Sequence, residues 1–137
     1  MVLARGAPEA LGYGSIHSVI EELLDKAKVS GWTKAATVED SSGSRSHSKN
    51  VARAVEESQA NLLHITSQED AYLVPNHSPV PVVVSVHDLY DQRPRAVDGG
   101  DVPVPLGDRF PSSAKARRIS SCREGMERAD LLLCSSE

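Results

Sequence analysis

The feature of the sequence that most constrains its fold is the run from Val80 to Val86, which reads Val-Pro-Val-Val-Val-Ser-Val. Nearly continuous β-branched residues without polar alternation are typical of a strand covered on both faces, as in a parallel sheet. A turn-forming segment, 75–79, precedes the run, and His87-Asp88 follows it. Because proline cannot donate a backbone hydrogen bond, Pro81 fits only near the start of this strand.

The order of the other elements extends this prediction to the whole chain. Apolar runs predict further strands at 2–4, 35–38, 61–66 and 131–134, the last as a buried strand. Helical periodicity predicts helices over 16–29, around Val51 to Val55, and over 113–129, and Ser67 caps a further short helix. Strands alternating with helices predict an α/β domain of Rossmann-like, three-layer type, with a mostly parallel sheet and helices on both faces.

Length and composition fit a single domain with two long loops. The chain has 137 residues, a usual length for one domain. The Ser-rich segment 40–48 predicts an exposed flexible loop. The segment 91–112 contains four prolines and three glycines and predicts a second, irregular flexible loop, of a length that is often functional.

Charge and residue usage exclude several classes of protein. The net charge is −4 and the chain has only one Trp, three Tyr and one Phe, which argues against a nucleic-acid-binding protein. No apolar run reaches the length of a membrane helix, and residues 1–10 lack a signal-peptide pattern, so we expect a cytoplasmic location. Cys122 and Cys134 are too few for a disulfide framework, and we expect both to be buried, reduced thiols.

The first loop is a candidate anion site. Gly12 and Gly14 stand two residues apart, and Ser15 precedes the helix predicted over 16–29. Backbone amides at a helix N-terminus can bind phosphate. His17 occupies the third glycine position of a dinucleotide-binding motif, so a merely tight strand–helix turn is an equally good interpretation.

Further candidates follow the central strands, where ligands of parallel sheets bind. His87 could bond a sugar hydroxyl or phosphate or act as a base, whereas His87-Asp88 could also be a capping histidine and a turn aspartate. His64 could reach a ligand, but a histidine between Leu63 and Ile65 is more often a satisfied core residue. Neither a nucleophile elbow nor a metal site is visible in the sequence.

The predicted last helix carries a basic face with Arg117, Arg118 and Arg123. Such a face could contact anionic lipid or an acidic partner. More often it is a helix surface exposed to solvent, and the sequence leaves both interpretations open.

Several of these segments together resemble a known family. They are Arg5-Gly6 with Gly12-Tyr13-Gly14, the stretch Asn61–Ser67, the strand ending in His87-Asp88-Leu89, and the closing Arg128–Glu137. In this order they resemble the N-terminal half of a GT-B fold glycosyltransferase, of the retaining group called glycosyltransferase family 4 or group 1. The resemblance spans nearly the whole chain.

The resemblance implies roles for particular residues. His87 would be the catalytic residue, facing the cleft between two domains near the transferred sugar. The implied substrate-binding residues are Gly12, Tyr13, Gly14, His64, Ser67 and Asp88. The implied ligands are a nucleotide-sugar donor and a glycan or lipid acceptor, with no cofactor or metal, and with peripheral membrane contact where the acceptor is a lipid.

The chain also departs from the family pattern. The paired glutamates that mark the family's C-terminal donor-binding domain do not occur after Glu137, so we expect an acceptor-side fragment that is inactive alone. A stand-alone sugar- or nucleotide-binding module, or a partner subunit that supplies the acceptor half, is the alternative. An unrelated dinucleotide binder is disfavoured by the incomplete glycine motif but stays open, because Glu39 or Asp40 ends a predicted strand.

Overall fold

A computed structural model of the chain describes residues 1–5, 22, 36–39, 46–100 and 102–134. The strands are β1 (Val2–Arg5), β2 (Ala36–Glu39), β3 (Leu63–Ile65), β4 (Val82–Val86), β5 (Arg95–Val97), β6 (Val104–Leu106) and β7 (Leu131–Cys134). The helices are α1 (Ser46–Glu57), α2 (Ser113–Arg128) and a 3₁₀ helix (Gln68–Leu73) that begins one residue after its cap, Ser67.

The predicted parallel sheet is confirmed. Five strands form one sheet in the order β2-β1-β3-β4-β7, and every neighbouring pair is parallel. The chain runs outward from β1 to β2, then returns past β1 to β3 and continues in that direction. The order therefore reverses between β1 and β3, which makes their carboxyl ends the topological switch point of the sheet.

One face of the sheet packs against the described helices. Residues at alternate positions of the inner strands share this face, because Val2 lies beside Leu63, Leu63 beside Val82, and Ile65 beside Val84. These side chains form one core with residues of α1, the 3₁₀ helix and α2: Val51, Val55, Ala71, Leu73, Val74 and Cys122. The predicted buried face of α1 is thus confirmed at Val51 and Val55.

The other face of the sheet is also buried at its centre, at His64, Val83 and Ser85. The helix that the sequence predicts over 16–29 lies outside the described residues except for Glu22, which is helical and exposed. In the described part of the chain no helix is both long and apolar enough to cross a bilayer.

Helix α2 lies against the 3₁₀ helix at unusually short range. A Cβ atom at Gly125 would overlap the backbone carbonyl of Ala71. On either side of Gly125, α2 side chains bond carbonyls of the facing segment: the Cys122 thiol donates to Glu69 O at 3.1 Å, and Arg128 donates to Val74 O at 3.0 Å. The glycine weakens α2 locally but allows this close packing.

Three predictions from the sequence are wrong in part. Residues 46–48 of the predicted loop belong to α1, where His47 is buried because it precedes Val51 and Val55 by one and two helical turns. The segment 91–112 is not wholly irregular, because β5 and β6 form an antiparallel hairpin in it. Strand β7 is exposed along its length, Cys134 included, because it is the outermost strand and none of its residues packs into the described core.

The chain segments just before and just after the β5–β6 hairpin lie next to each other. Gly107, at a φ of 75°, lies against the carbonyl of Tyr90 so closely that a Cβ atom would overlap it. The ammonium of Lys115 on α2 lies 2.9 Å from Asp91 Oδ1 and 3.8 Å from Asp108 Oδ2, one on each side of the hairpin. The base of the hairpin is thereby closed and attached to the start of α2.

Candidate functional site

The residues that follow β3 and β4 meet at the carboxyl edge of the sheet. Thr66, Ser67 and Gln68 come directly after β3, and His87 and Asp88 come directly after β4. Because β3 and β4 are parallel neighbours, the two segments emerge side by side. This edge, which we call the strand-end site, lies beside the switch point between β1 and β3.

The His87 ring is held by the end of β3. Its Nε2 atom lies 2.9 Å from the backbone carbonyl oxygen of Thr66. A carbonyl oxygen can only accept, so Nε2 carries the hydrogen of this bond, and in the neutral ring Nδ1 is then the basic nitrogen. The contact fixes both the tautomer and the direction of the imidazole.

The backbone of His87 is held as well. Its N–H donates to the side-chain Oε1 of Gln68 at 2.9 Å, and Gln68 is only 6% exposed. The sequence predicted Gln68 only as part of the short helix. No local sequence pattern marks Gln68 as a partner of His87, because the contact depends on how β3 and β4 lie side by side.

Two further predicted site residues make local bonds at this edge. The Ser67 hydroxyl accepts a hydrogen bond from Glu69 N at 3.2 Å, which confirms its prediction as a helix cap. Asp88 Oδ1 accepts from Tyr90 N at 3.2 Å and so stabilises the turn that leads away from β4. The structure brings both residues to the strand-end site, and their roles toward a substrate stay predictions.

His64 lies inside the sheet rather than at its edge. Its Nε2 atom is 2.9 Å from the Ser85 hydroxyl of the neighbouring strand, and both residues are buried. This contact satisfies a ring nitrogen in the way that a core histidine requires. Its predicted part in substrate binding is untested.

The strand-end site is acidic on the side of the 3₁₀ helix. Burial raises the pKa of the Glu69 carboxyl, and the nearby charges of Asp70, Asp91 and Asp88 raise it further, while Arg118 acts in the opposite direction. The carboxyl groups of Glu69, Asp70, Asp88 and Asp91 therefore lie near one another on this side of the site. In the described part of the chain no group of three or more His, Cys, Asp and Glu side chains is arranged to hold a metal ion.

The basic face of α2 is not uniform. Arg118 reaches Glu69 O at 3.4 Å and Asp70 Oδ1 at 3.5 Å, and its guanidinium lies 5.2 Å from the centre of the Tyr72 ring. Arg117 and Arg123 are exposed. Arg118 thus helps to attach α2 to the 3₁₀ helix, while the other two point toward solvent.

The predicted glycine loop, with Gly12, Tyr13 and Gly14, lies outside the described residues. The end of β1, which leads into this loop, is at the same edge of the sheet as the ends of β3 and β4. No family model, curated protein or solved structure matches the chain.

Proposed function

We propose that the chain is the acceptor-side, N-terminal domain of a GT-B glycosyltransferase, which binds a sugar at the strand-end site. The observation that carries this proposal is the placement of His87. The residue stands at the carboxyl end of a central parallel strand, beside the switch point, with its ring and its backbone both bonded to the end of β3. Ligands of open α/β sheets bind at such an edge.

The proposal includes a Rossmann-like fold of three layers. The described helices supply one layer. Crossovers between parallel strands are right-handed, and the step from β1 to β2 runs opposite to the later steps along the sheet. The proposed second layer of helices would therefore lie on the opposite face of the sheet, the face that carries His64 and Val83.

The charges near His87 favour a sugar ring over a phosphate at this place. Glycosyl transfer builds positive charge on the ring and negative charge on the departing phosphate. Asp70 faces Arg118 and Asp91 faces Lys115, so we expect Glu69 and Asp88 to stabilise the former and repel the latter. We accordingly assign sugar hydroxyls to the His87 side, and the donor diphosphate to the side of the glycine loop 12–14.

His87 would act through its ring. The bond from Nε2–H to Thr66 O holds the imidazole at the carboxyl edge of the sheet, where we expect a sugar hydroxyl to hydrogen-bond with it. The bond to Thr66 orients the ring before a ligand arrives, so less conformational entropy is lost on binding.

Calorimetric or NMR titration of the chain with nucleoside-diphosphate sugars and with free oligosaccharides tests the proposal. We expect saturable binding, weakened up to about tenfold in His87→Ala, since a hydrogen bond between neutral groups is worth about 0.5–1.5 kcal/mol. His77→Ala is the matched control, because His77 is exposed and precedes β4, at the opposite edge of the sheet.

Three results would contradict the proposal. Absence of saturable binding to any of these compounds would remove its basis, as would equal losses in the His87 and His77 variants. Efficient sugar transfer by the 137-residue chain alone would contradict its proposed role as an acceptor-side domain that is inactive by itself.

A further inference from the structure

In the strand-end site, a side-chain carbonyl accepts a hydrogen bond that a backbone carbonyl would accept if β3 were longer. Backbone pairing between β3 and β4 follows one register, in which each residue of β3 lies beside the residue 19 positions later, as Leu63 beside Val82. Strand β3 stops at Ile65, because the chain turns at the cap Ser67 into the 3₁₀ helix. Strand β4 continues to Val86 and then reaches His87.

Gln68 follows the end of β3 and holds the backbone of His87 just beyond the last paired residues of the two strands. The side-chain oxygen of Gln68 accepts the hydrogen bond from the His87 N–H at 2.9 Å. An amide side chain carries the same carbonyl group as a peptide unit. The Gln68 side chain thereby provides the acceptor that a continued β3 would have provided.

We propose that Gln68 is the positioning residue of His87, extending the sheet by one hydrogen bond so that the histidine is fixed just beyond the last paired residues. Gln68 is buried and Thr66 is buried beside it, so the acceptor pair that holds His87 belongs to the interior of the domain. With Thr66 O on the ring and Gln68 Oε1 on the backbone, His87 is held at two points 2.9 Å from the 66–68 segment.

The inference deepens the proposed function, since it names what orients the residue that would contact the sugar. It also has consequences in the absence of any ligand. Without the Gln68 acceptor, the His87 N–H at the end of β4 would lose its 2.9 Å bond to Gln68 Oε1, and the backbone that directs the ring at Thr66 O would be held less firmly.

The test compares three variants by NMR. Gln68→Met keeps the length and removes the acceptor, Gln68→Glu keeps an acceptor oxygen, and Gln59→Met makes the same change at an exposed position after α1. We expect the His87 amide to exchange about tenfold faster in Gln68→Met, the factor that corresponds to one ordinary hydrogen bond. Protection should remain in Gln68→Glu and in Gln59→Met.

The nitrogen shifts of the His87 ring, read at a pH where it is neutral, give a second measurement. We expect the Nε2–H form to dominate in the parent chain and in Gln68→Glu, and a mixture of tautomers in Gln68→Met. Unchanged exchange and an unchanged tautomer in Gln68→Met would overturn the inference. If that variant does not fold, the parent chain decides through the scalar coupling across the bond from His87 ¹⁵N to the Gln68 side-chain ¹³C, whose absence would overturn the inference.

Sugar titration of the same variants separates this inference from the proposed function. Binding weakened up to about tenfold in Gln68→Met and restored in Gln68→Glu would support both. If the parent chain binds no sugar while the exchange and tautomer respond as described, the proposed function fails and the positioning role stands.

Discussion

Strands β4 and β7 are hydrogen-bonded neighbours of similar composition, yet β4 is buried at all five positions and β7 is exposed at all four. β4 lies between β3 and β7, and residues of the core contact its inner face. β7 is the outermost strand, with Leu131, Leu132 and Leu133 between 42% and 52% exposed. Place in the strand order, more than apolar content, therefore decides which strand carries the stability of the sheet.

The largest expected effect comes from separating α2 from the buried region. Gly125→Ala would force a Cβ atom into the carbonyl of Ala71, so we expect a loss of about 3 kcal/mol in the free energy of unfolding despite the better helix propensity of alanine. Chemical denaturation measures the change. Ser121→Ala, on the exposed side of α2, is the control and should be nearly neutral. A Gly125→Ala variant as stable as the parent would show that α2 can withdraw without cost.

Shortening one side chain in β4 and its register partner in β7 tests whether the two strands differ in packing. Val84 and Leu132 are register partners on the same face, and they are 0% and 42% exposed. We expect Val84→Ala to cost about 2 kcal/mol and Leu132→Ala less than about 1 kcal/mol, although the leucine loses more atoms. Urea denaturation of both variants provides the measurement, and equal losses would show that β7 is as well packed as β4.

The third prediction concerns the pH dependence of stability, which we expect Glu69 to affect because its carboxyl is partly buried. Burial and its acidic neighbours raise its pKa in the folded state, so ionisation at higher pH lowers stability. Glu69→Gln should raise the free energy of unfolding near neutral pH, and the gain should fade as the pH falls through the raised folded-state pKa and be absent below the ordinary glutamate pKa. Thermal unfolding across this pH range measures it. Glu127→Gln, on an exposed part of α2, is the control for the substitution itself; a gain for Glu69→Gln that persists at low pH would exclude this cause.

The two cysteines allow the buried region and β7 to be compared without any substitution. Burial raises the pKa of the Cys122 thiol, and Cys122 is covered by the core, whereas Cys134 is exposed on β7. Alkylation followed by mass spectrometry should modify Cys134 at least about tenfold faster, because only the exposed thiol is accessible to reagent. Comparable rates would mean that α2 opens readily from the sheet.

The sequence was sufficient for elements whose pattern is local. The run before His87 predicted a buried parallel strand, the period of Val51 and Val55 predicted the inner face of α1, and Ser67 predicted a cap; all three are confirmed. Each rests on neighbours within one or two turns of the chain.

Features that depend on distant partners were missed. Strand β7 is exposed because it is the outermost strand, and the position of a strand in the sheet cannot be read from the apolar residues Leu131 to Leu133. Gln68 acquires its bond to His87 from the β3–β4 register, and Gly125 from the approach of the 3₁₀ helix. The serines around His47 predict a loop, although the helix α1 already begins at Ser46.

The closed base of the β5–β6 hairpin has a consequence for how this chain can vary. Since Asp91 and Asp108 are gathered by one lysine, the intervening residues form a detour whose two ends nearly coincide. The length of such a detour is independent of the geometry of the sheet, and each doubling costs only about 0.6 kcal/mol in closure entropy. Gln92 and Gly107 belong to the base, because they contact Ile119 and Tyr90. We therefore expect the connection between β5 and β6 to accept insertions, deletions or grafted sequences without displacing β4 or α2.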